Sequence, residues 1–364
     1  MSERTNAASA TEALELRAMH RDPRDLDLFR ACFARNNPRA RTAESLTWQY
    51  YDNTTDRLFV DLAVADQGER IAAIYASLPG FVRVNGEKRL ALQSLDTLTD
   101  SDFRGKGLFV TLAKKTFARA TDDGAALIYG FPNGNSAHGF FKKLGWTSLD
   151  PVPFLVRPLR ASYVADRLKL GSTAKHFVPD FPFVLGGHRR RAGVVELVSA
   201  DERITRLWTR FSSNIGVALD RSATYFDWRL FRKPEENYRV LALEEGGELV
   251  ALCAFATKNK HGGRIGYVME LMHDRSPSGW RGASHLLGLA VRAMADDGVD
   301  SILAWSFPHS SNFLVYARHA FVPLPERLRP IELHFGARAF DPSVRSVVEE
   351  RTNWYLSYLD SDTV

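Results

Sequence analysis

The stretch DFRGKGLF places two glycines and two cations directly before an apolar helical pattern. Gly105 and Gly107 alternate with Arg104 and Lys106, and the helical pattern begins at Leu108. The first backbone N–H groups of a helix have no partner within the helix, and the helix dipole is positive there. Glycine also lets a ligand approach the backbone closely. These residues therefore predict either a cradle for an anion such as a pyrophosphate, or a glycine-rich loop that only turns the chain.

Two common phosphate-binding motifs do not fit this loop. A Walker loop ends in Gly-Lys-Ser or Gly-Lys-Thr, whereas Lys106 is followed by Gly107. A dinucleotide fingerprint requires a third glycine at a position where this chain has Val110. The class of the loop must therefore be inferred from the elements around it.

The elements that would position this loop occur twice along the chain. The segment LTWQYYD around Trp48 is echoed by FDWRLFRKP around Trp228, and a Phe-Pro pair recurs in GFPNGNS and SFPHSSN. The matching segments keep the same order and nearly the same separation, which favours two copies of one domain. In each copy the pattern predicts helices, a hairpin or meander of strands, a helix, a strand, a helix and a last strand.

In the first copy the apolar spacing is clear enough to place individual elements. It predicts a helix over residues 108–120, and the run AALIYGF predicts a short central strand at 125–131. The segment NSAHGFFKKLGW predicts a second helix over 135–144, with Asn135 or Ser136 as its N-cap. A mixed α/β sheet with helices on its faces follows from this order.

Length and composition limit the classes of protein to which the chain can belong. Its 364 residues indicate about two domains, and 45% hydrophobic with 25% charged residues is typical of a globular protein. No run approaches the roughly 18 apolar residues of a membrane helix, and the polar N-terminus predicts a disordered tail without a secretion signal. Cys32 and Cys253 lie far apart in apolar runs, which fits a reducing cytoplasm and disfavours a disulfide or metal site.

The positive net charge is compatible with several anionic partners. A net charge of +5 suits nucleic acid, an anionic cofactor or an anionic substrate. The densest basic cluster, GGHRRRAG at 186–193, is short and favours a surface linker over a nucleic-acid patch. No Gly-x-Ser-x-Gly motif indicates a nucleophilic serine, and no spacing of His, Cys, Asp and Glu indicates a metal.

The segment RGKGLF, followed after a spacer by NSAHGFFKKLGW, resembles the GNAT superfamily of acyl-CoA-dependent N-acyltransferases. That family carries Arg/Gln-x-x-Gly-x-Gly/Ala at a strand-to-helix turn. Arg104 and Gly107 match this pattern, whereas Phe109 replaces the last small residue. The resemblance covers about residues 45–150 well and about 225–325 weakly.

The family's next helix often reads Asn-x-x-Ala-x-x-x-Tyr-x-Lys-x-Gly-Phe. The positions that fit it are Ala137, Lys143, Gly145 and Trp146. Gly134 stands at the asparagine position, and Phe141 stands at the tyrosine position and has no proton to donate. In the second copy Tyr316 occupies the tyrosine position.

The resemblance implies an α/β fold of two tandem GNAT-like domains, each a mixed, mostly antiparallel twisted sheet flanked by helices. It also implies acetyl-CoA or another short acyl-CoA as cosubstrate. The residues expected to bind this cofactor are Leu98, Arg104, Gly105, Lys106, Gly107, Leu108, Asn133, Asn135 and Phe141.

Acyl transfer to an amine needs a neutral amine, a polarised thioester carbonyl and a protonated or stabilised thiolate. Asp96, at the end of the strand before the loop, is the first candidate for the base, and Glu270 is its counterpart in the second copy. Asp96 could equally cap the following turn. His138 titrates near neutrality and is the second catalytic candidate, with a structural role as the alternative.

The residues expected to bind the acceptor are Asn133, Ser136, Glu270 and Tyr316. The first two follow the central strand at its carboxyl end, where open α/β sheets bind ligands. The second copy has lost the loop, because Ser284 stands where the first has Gly107. The first copy is therefore expected to bind acyl-CoA, and the second to act as a scaffold, a structural partner or a wall of the acceptor site.

The expected domain organisation follows from these copies. It comprises a disordered tail at 1–12, an acyl-CoA-binding domain at 13–160, a linker at 161–195, a degenerate second domain at 196–345 and a C-terminal helix or tail at 346–364.

The sequence thus predicts a cytoplasmic N-acyltransferase whose amine acceptor belongs to a nucleotide-linked amino sugar of a surface-polysaccharide pathway. Other small amines, such as an aminoglycoside, remain open as acceptors. The alternative is a non-catalytic GNAT-like protein that binds CoA or serves as a scaffold. Nucleic acid, membrane insertion and a metal are not expected, and a homodimer is possible.

Overall fold

The computed structural model describes residues 14–37, 41–163, 191–329 and 331–361. The described residues divide into two units, Met1–Pro79 with Leu92–Gly124 and Gly80–Ala91 with Ala125–Val364. The predicted tail at 1–12 and most of the predicted linker at 161–195 lie outside the described residues.

The first unit contains a sheet with helices packed on it. Its elements are β1 (Glu15–Ala18), α1 (Pro23–Asn36), α2 (Ala43–Leu46), β2 (Phe59–Ala65), β3 (Arg70–Val84), β4 (Glu87–Thr99) and α3 (Leu108–Asp122), of which β3 and β4 continue into the second unit. β1 pairs with β2 and β2 with β3, both antiparallel. Phe29 and Phe33 of α1 pack with Leu62 of β2 and Ile74 of β3 in the core of this unit.

The predicted helix after the glycine loop is α3, and its apolar stripe faces inward as expected. Leu112, Ala113, Phe117 and Ala120 are buried along it. Because every third or fourth residue is apolar, one face of α3 is removed from water while the opposite face stays polar.

The second unit contains the remaining elements of the described chain. They are β5 (Leu127–Gly130), α4 (Gly134–His138), β6 (Thr147–Ser148), β7 (Phe154–Pro158), β8 (Val194–Leu197), α5 (Glu202–Phe211), β9 (Val217–Leu219), α6 (Ala223–Phe226), β10 (Arg239–Glu245), β11 (Glu248–Lys260), β12 (Gly263–His273), α7 (Pro277–Asp296), β13 (Ser301–Trp305), α8 (Phe313–Arg318), β14 (Val322–Pro323), β15 (Gly336–Ala339) and α9 (Arg345–Val348).

Seven of these strands form one sheet in the order β14-β7-β13-β12-β11-β10-β8. Only the pair β12–β13 is parallel among the pairs of this described sheet, so the sheet is mixed and mostly antiparallel. Helix α7 covers β10, β11 and β12, and its residues Leu286, Leu287 and Met294 are fully buried. In both copies a strand hairpin, a strand, a helix, a short strand and a helix follow one another, as the repeat predicts.

The last strands of the two copies are exchanged. The sequence pattern ends each copy with a strand of its own, but β7, which follows the first copy, pairs with β13 of the second. β15, which follows the second copy, pairs with β5 of the first through Gly336↔Gly130 and Ala339↔Leu127. Alternating apolar residues specify a strand but not its neighbour, so the exchange has no local signal.

No helix of the described chain combines the length and the hydrophobicity that crossing a lipid bilayer requires. The C-terminal segment, which the sequence analysis interprets as a helix or tail at 346–364, is described as far as Ser361. Trp354, Tyr355, Tyr358 and Leu359 of this segment are almost completely buried.

Both cysteines are expected to resist thiol reagents while the protein is folded. Cys32 and Cys253 are fully buried, and burial raises the pKa of Cys32 to about 11 and that of Cys253 further still. Because the thiolate is the reactive form, Ellman's reagent should label neither residue in buffer and both in denaturant. Rapid labelling of either one in the native protein would contradict this burial.

Candidate active site

The glycine loop before α3 is open to solvent. Gly105 and Gly107 have φ angles of +81° and +74°, a conformation that L-residues with side chains rarely adopt. A Cβ built on either glycine would meet no atom within 4 Å. Arg104, which precedes the two glycines, and Lys106, which lies between them, are exposed. The glycines are therefore required by the backbone conformation, and the space in front of the loop is available to a ligand.

The start of α3 offers backbone donors rather than side chains. Gly107 is its N-cap, and within the described residues no side chain caps this end. The first turn also contains no acidic residue. The partial positive charge of the helix N-terminus therefore adds to the charges of Arg104 and Lys106.

In the second copy the equivalent helix start is occupied by the chain itself. The Ser276 hydroxyl oxygen accepts a hydrogen bond of 2.9 Å from the Gly279 backbone N–H, and Pro277 removes one donor. Asp274 Oδ1 accepts from the Ser276 N–H at 3.0 Å and from its hydroxyl at 2.6 Å. A Cβ on Gly279 would overlap this carboxylate oxygen. An anion has no comparable access to the start of α7.

Asp96 lies at a distortion of β4. Its φ of +49° falls in the left-handed region, which interrupts the regular strand. Asp96 Oδ2 accepts three hydrogen bonds, from Arg41 Nη1 at 2.7 Å, Gln49 Nε2 at 3.0 Å and Tyr50 Oη at 2.9 Å. The carboxylate is thereby fixed in one orientation. Its side chain keeps 12% of its surface exposed, and that of Arg41 keeps 20%.

Sequence reasoning missed the three residues that hold Asp96. Gln49 and Tyr50 follow Trp48 in a π-helical turn, Thr47–Tyr51, that recurs at Trp228 as Asp227–Phe231. Burial, followed by the charge of Asp96, raises the pKa of Tyr50 well above its usual value, so its hydroxyl remains a donor. The repeat carried a usable signal, because Arg41 precedes Trp48 by the same spacing as Arg221 precedes Trp228.

The second copy contains the same arginine–carboxylate pair in a sealed form. Arg221 Nε donates to Glu270 Oε2 at 2.6 Å, and both side chains are fully buried. The strand is again distorted beside the acid, because the register of β11 and β12 shifts just before Glu270. The pairs Arg41–Asp96 and Arg221–Glu270 are therefore equivalent. They agree in sequence position, in chemistry and in the distortion of the strand that carries the acid.

The C-terminal segment closes this second site. The hydroxyls of Tyr355 and Ser357 both donate to Glu270, the latter at 2.9 Å. Arg221 Nη2 donates to Asp360 Oδ2 at 2.6 Å. The buried pair thus has a second carboxylate and two hydroxyls as partners, all supplied by residues 355–360, and no water-accessible surface remains on it.

Two residues expected to bind the acceptor, Glu270 and Tyr316, lie inside this closed site. Both are fully buried, and a ligand could touch either only if the C-terminal segment moved away. The Tyr316 hydroxyl has no hydrogen-bond partner among the described residues. Burial, with the charge of Glu270, raises the pKa of Tyr316 well above its usual value.

The predicted residues after β5 lie at the start of α4, which continues as a π-helical turn over Gly139–Lys143. The N-cap is Asn133, whose Oδ1 accepts from the backbone N–H groups of Asn135 and Ser136 at 3.1 and 3.2 Å. The sequence analysis expected Asn135 or Ser136 in that role. His138 is exposed at the end of α4.

His334 is a titratable residue beside α4 that the sequence analysis did not identify. Its ring lies edge-on to Phe141 with centroids 6.2 Å apart, and its backbone N–H donates to the carbonyl of Pro132 at 2.9 Å. Nδ1 lies 2.7 Å from Asp150 Oδ2, and Nε2 lies 3.4 Å from Glu332 Oε1. A Cβ on Gly134 would overlap the Glu332 carboxylate.

The two carboxylates determine the charge of His334. Burial alone would lower its pKa, but the hydrogen bond and charge of Asp150, with those of Glu332, raise it overall. A protonated imidazole is therefore favoured directly beside Phe141, at the position where the resemblance expects a tyrosine proton donor.

One group of possible metal ligands occurs in the described residues, namely His20, Asp22 and Asp25. Asp25 already accepts from Arg17 at 2.5 and 2.6 Å, and Asp22 caps α1 by accepting from the Asp25 N–H at 2.8 Å. Both carboxylates therefore already accept hydrogen bonds from neighbouring residues of the chain.

Residues 23–149 match the family model described as the acetyltransferase (GNAT) domain. This match confirms the predicted enzyme class, an acyl-CoA-dependent N-acyltransferase, and acyl-CoA as its cosubstrate. No protein of curated function matches the chain by sequence.

Several solved structures share the architecture of this chain. N-myristoyltransferase of Saccharomyces cerevisiae with bound myristoyl-CoA superposes with a TM-score of 0.60 at 13% identity, covering 89% of this chain and 82% of that one. A GCN5-related N-acetyltransferase from Anabaena variabilis gives 0.58 at 11%, covering 92% and 74%. A probable N-acyltransferase from Enterococcus faecalis gives 0.60 at 13%, covering 91% and 74%. At these identities the likeness confirms the predicted fold class and nothing finer.

Loss of the buried arginine of the second copy is expected to destabilise the protein strongly. Arg221→Met would leave Glu270 and Asp360 as buried carboxylates without their cation. The free energy of unfolding should fall by about 3–5 kcal/mol in denaturant titrations. The control is Arg292→Met on α7, which removes an exposed i,i+4 pair with Asp296 and should cost less than about 0.5 kcal/mol. If the two variants lost equal free energy of unfolding, the buried pairing of Arg221 with Glu270 and Asp360 would be contradicted.

His334 is expected to titrate above its ordinary pKa of 6.5. Protonation then stabilises the fold fully below pH 6.5, and this contribution is lost as the pH rises from 6.5 through the folded-state pKa. NMR titration of the imidazole would give the value. Asp150→Asn should lower it, because the largest stabilising partner of the imidazolium is removed. A pKa that Asp150→Asn leaves unchanged would exclude this ion pair.

Proposed function

We propose that the chain transfers an acetyl or other short acyl group from acyl-CoA to the primary amine of a small anionic acceptor, and that only the first copy carries out this reaction. The observation that carries the proposal is the open, uncapped glycine loop at the start of α3. The second copy has the same elements, but its helix start and its arginine–carboxylate pair are both filled by the chain itself.

The glycine loop supports binding of the CoA pyrophosphate. The backbone N–H groups at the start of α3 are suited to phosphate oxygens, and Arg104 and Lys106 supply charge. Leu98, at the end of β4, and Leu108, at the start of α3, would border the same site.

The reaction itself needs two proton movements. The neutral amine attacks the thioester carbonyl, so that a C–N bond forms and the C–S bond breaks. The nitrogen then loses a proton, for which the Asp96 carboxylate is the proposed acceptor, directly or through water, and the departing CoA thiolate takes up a proton from a separate donor. Asp96 is proposed to attract and orient the acceptor amine, because Arg41, Gln49 and Tyr50 hold its carboxylate in place.

The proton for the thiolate needs a donor other than the residue at the tyrosine position, because Phe141 has none. His334 supports this role through its place beside Phe141 and its raised pKa. His138 is exposed nearby in sequence and is the second candidate.

The acceptor is proposed to be a nucleotide-linked amino sugar. The net charge of +5 and the partly exposed Arg41 support an anionic acceptor. Asn133 and Ser136 of the α4 N-terminus are proposed as its polar contacts, and polysaccharide biosynthesis in the cytoplasm is the corresponding setting.

The proposal is tested by separating CoA binding from turnover. Gly107→Trp should abolish calorimetric binding of acetyl-CoA, because it strains the backbone at φ +74° and fills the cradle. Asp96→Asn should retain binding and lose at least about tenfold in thiol release with a panel of amino-sugar nucleotides. The buried cysteines of the protein should give no background in a thiol assay.

The control is Gly124→Trp, at another exposed glycine of positive φ, which lies at the far end of α3 and should leave CoA binding intact. Wild-type binding of acetyl-CoA without release of thiol for any amine would favour the non-catalytic scaffold. An Asp96→Asn variant with unchanged turnover would exclude Asp96 from the reaction.

A further inference from the structure

The second copy contains a basic cavity that the acyl-transfer site does not use. Its volume is about 460 Å³, within the range of small-molecule pockets. It lies among β7, α7 and α8, and its charged and aromatic lining consists of Arg157, Trp280, Arg281, His285, Arg318 and His319. All of these residues belong to the second unit.

Three arginines from three different elements line this cavity. Arg157 comes from β7, Arg281 from α7 and Arg318 from α8. No carboxylate occurs among its lining residues in the described chain. Arg157 is partly buried and donates to the carbonyl of His319 at 2.6 Å. Concentrated positive charge without lining acids favours a ligand with more than one negative charge.

Histidine and tryptophan side chains also line the cavity, beside the arginines. Ser284 Oγ and His319 Nε2 lie 2.9 Å apart, which fixes the ring of His319 at the cavity wall. The Arg318 guanidinium lies 5.8 Å from the centre of the Trp280 ring. Aromatic and arginine planes in contact are suited to stacking with a heterocyclic base.

Arg191, at which the described chain resumes after residue 163, also contacts this region. The Arg191 backbone N–H donates to His285 Nε2 at 3.3 Å, so the last arginine of GGHRRRAG lies next to the cavity wall. The Arg191 guanidinium itself pairs with Glu245 Oε1 at 3.1 Å, so this residue contributes a backbone contact to the wall and its charge is already compensated.

The cavity is not a second copy of the glycine cradle. The backbone donors at the start of α7 are engaged by Ser276 and crowded by Asp274, so a ligand here would be held by side chains. We propose that the cavity binds a small molecule with two adjacent phosphates and an aromatic base, that is, a nucleoside diphosphate group. Arg157, Arg281 and Arg318 bind the phosphates, and Trp280 contacts the base. The site is separate from acyl transfer and does not depend on the proposed function.

The source of the nucleoside diphosphate is either a free nucleotide or the nucleotide part of coenzyme A. Both share the recognised chemistry, so the experiment distinguishes them. Calorimetric titrations would use UDP, ADP, CoA and inorganic pyrophosphate on the full chain carrying Gly107→Trp, in which the cradle of the first copy is blocked.

Affinity for the bound nucleotide should fall about tenfold or more in Arg281→Ala and in Arg318→Ala, because each removes a charge-assisted hydrogen bond. Trp280→Ala should weaken the binding of UDP or ADP but not that of pyrophosphate. Trp280→Phe should restore much of the lost nucleotide affinity. Arg292→Ala is the matched control, since this arginine lies on the same helix and pairs with Asp296 outside the cavity.

Two results would overturn the assignment. One is the absence of binding by any of the four compounds to the Gly107→Trp chain. The other is binding that Arg281→Ala and Arg318→Ala leave unchanged, as would occur for a phosphate site elsewhere. Thermal melting of each variant excludes unfolding as the cause of a loss, and Arg281→Lys and Arg318→Lys provide variants that keep the charge. Tighter binding of UDP or ADP than of CoA would assign the site to a free nucleotide, and the reverse would assign it to the coenzyme.

Discussion

An arginine–carboxylate pair beside a distorted strand is the interaction on which both copies are built. In each copy the acid lies where the strand departs from regular pairing, and the arginine reaches it from the segment before the tryptophan turn. A carboxylate at such a point would be costly to enclose without a cation. The pair therefore lets a charged group stay at the centre of each fold.

The two copies differ in what completes this pair. Around Asp96 the remaining partners are Gln49 and Tyr50, and some surface stays open to solvent. Around Glu270 the hydroxyls of residues 355 and 357 and the Asp360 carboxylate, with its contact to Arg221, fill the remaining space. The same arrangement is thus partly open in one copy and completely buried in the other. The start of α7, which follows β12 and Glu270 along the chain, is likewise closed by residues of the chain itself.

Local features of this protein could be predicted from sequence, and long-range ones could not. The glycine loop and α3 depend on neighbouring residues, so spacing was sufficient to place them. The roles of Arg41 and His334 depend on contacts with residues far away in the chain; His334 has no local pattern, and Arg41 is marked only by its repeated spacing before the tryptophan. The sequence predicts only a helix or tail for the C-terminal segment. Its apolar residues follow no regular period, so the sequence does not reveal that they are buried. The exchange of β7 and β15 is invisible for a related reason, since alternation specifies a strand and not its partner.

The strand exchange also constrains how the chain can be synthesised and folded. β5 pairs with β15 over Leu127–Gly130 and Gly336–Ala339, so this edge of β5 has no partner until residues 336–339 have left the ribosome. Exposed strand edges invite pairing with other chains. β5 must therefore wait, with this edge exposed, for a strand that is synthesised much later, and a fragment ending between the copies would lack the strand that covers it.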